Sequence, residues 1–439
     1  MKLPNICENE TMDRTETLTA NVTRYPWYIF FRDCYFWGPA FFLYFTSVLP
    51  LSETLWLESV YFVSVAVLEV PSGYLSDRFG RRYTLAVSSA CLVLAYLIFW
   101  ISHSFIAFAL AQVFLAAGFA SASGTDTALL YESLAGLGRK DDYAKKEGQA
   151  MAYSFRAGAI GALAGGLLAL GHLRWIYGAS FAAALISFFI ALAFTDPKRP
   201  LASDDSNEKG QRHATMIHQT AALFSLAFSR RLRFFTLYMV FMTILVHFPY
   251  EFYQPYLAAV MKHLGVSGAI TPGFTGVHLA LTMITGSLFT GVAGRIYHRC
   301  RIRRALLGAA LFQAVILALM AIWIHPLMAV LLVCRNLAKA VYIPLVNAEI
   351  SPQVAACERS TYLSLQSLMG RLGYGIVLMI LSWVTAAVGG GLTMTLAAVG
   401  GIGGILWLIL RCIEFPSRKG QTCCGNLGKS IGHSHHSRR

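Results

Sequence analysis

The stretch Gly73-Tyr74-Leu75-Ser76-Asp77-Arg78-Phe79-Gly80-Arg81-Arg82 decides how the chain is read. It sets three arginines and an aspartate between two apolar stretches, 55–76 and 84–103. Each stretch has the length of about 20 residues that a helix needs to cross a hydrocarbon core. A short charged turn between two such stretches is the connection of a helical hairpin that enters a bilayer twice. Helix is the only sensible choice there, because lipid offers a backbone no hydrogen-bond partner and an open sheet edge cannot survive. Composition extends this reading to the whole chain. Of 439 residues, 56% are hydrophobic and 13% charged, against about a quarter charged in soluble domains. The 13% aromatic content excludes a disordered chain. Nine cysteines without a CxxC pair argue against a disulfide framework. Residues 1–24 are polar and lack the apolar core of a cleavable signal peptide.

Bilayer-length apolar stretches recur at 25–47, 55–76, 84–103, 106–134, 148–171, 175–195, 233–260, 272–294, 304–323, 326–350, 360–386 and 391–412. The expectation is an all-α membrane protein of twelve transmembrane helices. With a cytoplasmic N-terminus, the external loops hold only Arg174 and Lys262, and five cations (Arg32, Arg156, Arg335, Lys339 and Arg371) fall inside spans away from their ends. The rest of the 36 Lys and Arg lie on the other side, which predicts cytoplasmic N- and C-termini in an inner or plasma membrane. Basic loops facing an anionic leaflet then account for the formal net charge of +14 without nucleic acid. On this topology the sequons Asn9-Glu10-Thr11 and Asn21-Val22-Thr23 sit on the wrong side for glycosylation.

A connection at 196–232 divides the spans into an N-terminal six-helix bundle, 25–195, and a C-terminal one, 233–412. Residues 1–24 and 413–439 read as cytoplasmic tails, and 196–232 as a cytoplasmic linker with an amphipathic stretch. The halves echo each other at a nearly constant offset, which pairs Pro39 with Pro255, Gly73 with Gly291, Glu132 with Glu349 and Arg156 with Arg371. Parallel six-span repeats are a transporter architecture, with the site between the halves near the midplane.

The 73–82 stretch resembles the GxxxDRxGRR loop of the major facilitator superfamily, and the resemblance runs from about residue 25 to 412. An eroded copy follows in the second half, Gly291-Val292-Ala293-Gly294-Arg295-Ile296-Tyr297-His298-Arg299, with Arg295 where Asp77 would be. The resemblance implies two pseudo-symmetric bundles that rock about a central site. It also implies that this loop gates the cytoplasmic face: Gly73, Asp77, Arg78, Gly80, Arg81 and Arg82 form the motif, Asp77 faces a helix terminus of the second bundle, and Arg81 or Arg82 pairs with an acid such as Glu132. Glu349 is the second-half counterpart of Glu132. Gly158, Gly161, Gly165 and Gly166 resemble the glycine-rich antiporter motif of the superfamily, with Ala162 where its proline is expected. Small residues at such spacing are also ordinary helix-packing devices.

Charges inside spans are costly and mark a pathway or a lock. Spans 3, 6, 9 and 12 carry none away from their ends and read as the lipid-facing scaffold, while the resemblance makes spans 1, 4, 7 and 10 the cavity walls. At about 1.5 Å per residue, Arg32, Arg156, Arg335 and Arg371 lie about 12–16 Å into their spans. Four cations near one cavity call for anions, either internal acids or a solute. Helical spacing places His247, Tyr250, Glu251 and Gln254 on one face of span 7, Arg335 and Lys339 on one face of span 10, and Arg32 with Tyr35 on span 1. The expected solute contacts are therefore Arg32, Tyr35, Arg156, His247, Tyr250, Gln254, Arg335, Lys339 and Arg371. Buried acids suited to carrying a proton are Asp33, Asp126 and Glu251.

No phosphate-binding GxxxxGKS loop, HExxH or GxSxG elbow is present, so neither ATP-driven transport nor an enzyme is expected. No cofactor or metal is called for. His433, His435 and His436 could hold a metal weakly, but read better as a solvated tail, and Cys412, Cys423 and Cys424 are open to acylation. The expected function is secondary transport, by a monomer, of a small polar and anionic organic solute such as a carboxylate metabolite or carboxylate siderophore, coupled to protons. The alternatives are a proton-driven drug exporter using Asp33 and Asp126, and a transporter-like sensor without turnover.

Overall fold

In a computed structural model of the chain, residues 6–197, 225, 227–289, 301–350, 353–354, 359–389 and 391–415 are described. The second-half copy of the loop at 291–299, most of the linker and the His- and Cys-bearing tail beyond 415 lie outside them, as do the side chains of Asn9 and Asp77. Among the described residues every regular element is helical. Ten stretches there are long and apolar enough to cross a membrane. The two expected spans not among the ten are the first, which is broken, and the eighth, represented by Thr271–Phe289.

The first half comprises α1 (Ile6–Arg32), α2 (Phe41–Val48), α3 (Leu51–Phe79), α4 (Arg81–Ile101), α5 (Phe105–Ala122), α6 (Thr125–Gly136), α7 (Tyr143–Gly171) and α8 (Trp175–Leu192). The second comprises α9 (Arg233–His263), α10 (Thr271–Phe289), α11 (Ile302–Ile322), α12 (Pro326–Val333), α13 (Leu337–Ile350), α14 (Arg359–Val388) and α15 (Leu392–Cys412). Helix α1 begins within the segment read from sequence as a polar tail. It is anchored there by Asn21, which is 1% exposed. The Asn21 amide donates to Ser133 Oγ at 3.2 Å and to the Thr195 carbonyl at 2.7 Å, and its oxygen accepts the Thr195 N–H at 2.9 Å.

Three of the four spans expected to wall the cavity are interrupted. Span 1 breaks after Arg32, and tight turns carry the chain through Trp37-Gly38-Pro39 to α2, since Pro39 has no N–H to continue a helix. Span 4 breaks between α5 and α6 at Gly124, whose φ of 75° suits glycine. Span 10 tightens into a 3-10 turn at Cys334–Asn336. Span 7 runs unbroken as α9 despite Pro249 and Pro255.

Among the described residues α2 meets α9, and two crossing pairs carry most of the contact between the halves, α3 with α14 and α7 with α10. In spans 2/11 and 5/8 these are the pairs that a two-fold repeat interchanges. Their contacts lie mostly towards the membrane face opposite Gly80, here called the far side. Ser59 Oγ donates to the Gly375 carbonyl at 2.8 Å, and Ser382 Oγ to that of Ser52 at 2.6 Å. The pair Arg371–Glu69, at 3.6 Å, reaches deepest towards the Gly80 end. This conformation is closed on the far side.

The glycines of span 5 are consumed by packing. A Cβ on Gly165 would stand 2.0 Å from the Phe36 carbonyl oxygen, one on Gly161 would stand 3.1 Å from Tyr35 backbone, and one on Gly166 would stand 2.9 Å from the Pro272 carbonyl. Gly158 meets nothing within 4 Å. The unwound stretch of span 1 thus lies directly on α7. Gly165→Ala is expected to lower the melting temperature of the purified protein, whereas Gly158→Ala should leave it unchanged or raise it, since Gly in a helix costs about 0.5–1 kcal/mol relative to Ala. Equal melting of the two variants would contradict this packing role.

Candidate functional site

A cavity of about 350 Å³ lies between the bundles. Its polar lining is Glu58 and Gln112 from the first half and His247, Glu251, Asn336 and Lys339 from the second. Aromatic walls surround them, among them Trp37, Tyr61, Tyr177 and Tyr250. Tyr250 is itself stacked on Phe41 with ring centroids 5.8 Å apart. Glu58 is 5% exposed and accepts from Gln112 Nε2 at 3.3 Å. Glu251 is 1% exposed, and its Oε2 has no hydrogen-bond partner among the described residues. His247 is oriented through Nδ1, 2.6 Å from the Thr243 carbonyl, and packs against the mutually contacting rings of Phe62 and Tyr374. Lys339 is exposed into this space. A cavity with two carboxylates on one side of the charge balance and one ammonium on the other can grip a solute at both ends.

The four deep arginines do not converge on it. Arg32 is taken by acids of its own bundle: Nε lies 2.8 Å from Asp33 Oδ1 and Nη1 lies 2.5 Å from Asp126 Oδ2. Asp33 also accepts from Tyr35 OH at 2.9 Å and Ser154 Oγ at 2.6 Å, and Asp126 accepts the Thr127 N–H at 2.7 Å. Arg32, Asp33, Tyr35 and Asp126 thus form one hydrogen-bonded ionic cluster within the first bundle, outside the lining of this cavity. Arg335 is 2% exposed and packs within the second bundle, 4.4 Å over the Tyr253 ring and bonded to Thr282 Oγ1 at 3.1 Å and His278 Nδ1 at 3.3 Å. Arg371 meets Glu69. Arg156 is exposed on α7, 5.5 Å over the Tyr153 ring. Gln254 is fully buried and bonds to span 1 instead of lining the cavity. Of the expected solute contacts and proton carriers, the structure brings His247, Tyr250, Glu251 and Lys339 to the cavity.

Sequence reasoning missed Glu58, Gln112 and Asn336 as lining residues. Glu58 was visible as an in-span acid, yet nothing in a single helix says that its face meets the other bundle.

The charged turn is built from both its ends. Gly73 and Asp77 lie on the last turns of α3, and Gly80, with φ 97°, makes the reversal into α4. Arg81 bonds Glu132 Oε1 through Nε and Nη2 at 3.2 and 3.1 Å, and Ser76 Oγ through Nη1 at 2.7 Å. Arg82 Nη2 donates to the Leu192 carbonyl at 2.8 Å, and its backbone N–H to Asp196 Oδ1 at 2.8 Å. Arg78 lies over Phe79 at 5.6 Å. In the second half, Glu349 closes α13, and its carbonyl accepts from Gln353 Nε2 at 2.8 Å. Charge-assisted bonds of this kind fix the loop to its own bundle.

Comparison with curated proteins gave no match. Solved structures share the fold. A nucleoside transporter, NupG, superposes with a TM-score of 0.73 at 13% identity, over 90% of this chain and 98% of that one. A D-xylose-proton symporter does so with a TM-score of 0.65 at 15% identity, over 92% and 99%. A POT family transporter in complex with 5-aminolevulinic acid gives 0.63 at 11%, over 90% and 95%. The sequence profile of the Major Facilitator Superfamily matches residues 27–270, more than half of the chain. With the broken-helix bundles and the charged turn in place, the chain belongs to the Major Facilitator Superfamily of membrane transporters.

Proposed function

We propose that this transporter carries a small polar solute with both a cationic, hydrogen-donating end and an anionic end, and that its transport is coupled to a proton. The observation that supports this reading is the shared cavity, where Glu58 of one bundle faces the same space as Glu251 and Lys339 of the other. An amine would sit on the carboxylates, a carboxylate on Lys339, and the aromatic walls would cover the body of the solute. Because the groups come from both bundles, such a solute braces them together. Releasing it requires the bundles to rock apart, which is alternating access.

The expectation of an anionic organic solute rested on four arginines. With Arg32, Arg335 and Arg371 engaged by other residues of the protein, Lys339 remains as the cation of the cavity, enough for one acidic end. The neighbours of the same fold carry nucleoside, sugar and peptide names, and one of them holds 5-aminolevulinic acid, a molecule with an amine and a carboxylate. The exporter alternative drew on Asp33, Asp126 and the span 5 glycines, which the Arg32 cluster and helix packing occupy.

Proton coupling follows from charge. Two carboxylates in an apolar-walled cavity repel each other at low effective dielectric. A proton on one, or the cationic end of a solute, relieves that repulsion, so proton and solute binding are linked. The cation-rich side containing the 73–82 turn is assigned to the cytoplasm, with both termini there.

Two outcomes follow for protein reconstituted in liposomes and offered labelled amino acids and dipeptides. Lys339→Ala should reduce uptake about tenfold or more, as expected for losing a charge-assisted bond, with Lys339→Arg retaining part; full uptake by Lys339→Ala would exclude the anionic end of the site. Glu251→Gln should abolish uptake driven by a pH gradient while leaving solute exchange at equal pH measurable. If gradient-driven uptake survives in both Glu251→Gln and Glu58→Gln, the cavity acids do not carry the proton.

A further inference from the structure

The structure assigns Gln254 the part of a latch on the far side of the membrane: a helix cap that one bundle supplies to a broken helix of the other. Helix α2 starts inside the protein after the turns of span 1, and its N-cap residue is Ala40, which has no side chain able to bond the first-turn N–H groups. Those groups need partners at any helix start. Here the carboxamide of Gln254, on α9 of the opposite bundle, provides them. Its Oε1 accepts the N–H of Phe42 at 2.9 Å and of Leu43 at 3.3 Å. Its Nε2 donates to the Gly38 carbonyl at 3.0 Å, and the neighbouring Tyr253 OH donates to the same carbonyl at 3.2 Å. One side chain thus satisfies both strands of the break, the N–H groups after it and the carbonyl within it, and is itself fully buried.

The cap is held in place from behind. Tyr253 lies under the Arg335 guanidinium and parallel to the His278 ring, at 4.4 and 5.7 Å. Arg335 is fixed in turn by Thr282 and by the Leu332 carbonyl at 3.1 and 3.3 Å. Arg335 therefore acts as a positioning residue for Tyr253 at this contact.

A contact of this type is no longer a hydrogen bond at about 3.6 Å. Any rocking that separates α2 from α9 by a few ångströms breaks all four at once and strands peptide groups that only incoming water can satisfy. The far side therefore opens against the latch. This inference does not depend on which solute is carried.

Spin-label distance measurements on the full-length protein in lipid nanodiscs test it. One label pair, His103→Cys with Leu264→Cys, reports the far side, and a second, Lys140→Cys with Arg301→Cys, reports the Gly80 side; all four positions are exposed, one per bundle in each pair. Gln254→Leu should shift the balance towards a longer far-side distance and a shorter near-side one, by roughly five- to tenfold, the scale of losing a helix cap. Gln254→Glu keeps an acceptor for the two N–H groups but offers no donor to Gly38, and should lie between wild type and Gln254→Leu. If Gln254→Leu does not fold, Gln254→Glu alone decides. Wild-type distance distributions in the folded variants on both sides would overturn the latch.

Discussion

In hydrocarbon a peptide group without a partner costs several kcal/mol, and the break in span 1 creates such groups at the centre of the molecule. Everything near the site depends on how that debt of hydrogen bonds is met. The Gly38 carbonyl and the first N–H groups of α2 take partners from α9, while the backbone of Tyr35 and Phe36 lies against Gly161 and Gly165 of α7. An unbroken helix in span 1 could approach neither neighbour so closely. The break brings Trp37 and Phe41 to the cavity wall, and it ties closure of the far side to backbone hydrogen bonding.

Charge obeys the same constraint. Inside the membrane Arg32 is matched by Asp33 and Asp126, Arg371 by Glu69, and Arg335 by an aromatic ring and neutral acceptors. Among the described residues, Lys339 and one oxygen of Glu251 are left facing the cavity between the bundles, while one nitrogen of Arg335 is left unbonded inside the second bundle. Unlike charges facing one cavity are what the proposed two-ended solute would use. On the proposed reading Glu58 of the first bundle completes the site with Lys339 and Glu251 of the second, which would tie occupancy to the motion of the two bundles.

The helical membrane architecture was legible because hydropathy and the 73–82 turn report directly on burial in lipid. The site was legible only in part, since periodicity puts residues on a face without saying what that face meets. Gln254 shares a face with Glu251 on α9, but one turn further along that face touches span 1 and not the cavity. Arg335 and Lys339 are four apart, the spacing of one helical face, yet the 3-10 turn at Cys334–Asn336 has about three residues per turn and alters the register between them. The break in span 1 escaped notice because Tyr35-Phe36-Trp37 is apolar enough to pass for membrane helix, although Gly38-Pro39 stood beside it. Glu58 became meaningful only when tertiary packing set it opposite Lys339 and Glu251.

The most direct test of the two-ended cavity uses the wild-type protein alone. Its melting temperature would be followed against matched ligands: a zwitterion, the same molecule esterified at its carboxylate, and the same molecule acylated at its amine. A ligand that binds only the folded state stabilises it by about 2.7 kcal/mol at a hundred times its Kd. Stabilisation by a zwitterion that is lost on blocking either end is the predicted result. Equal stabilisation by a molecule with only its carboxylate free would contradict the account and restore an anionic solute.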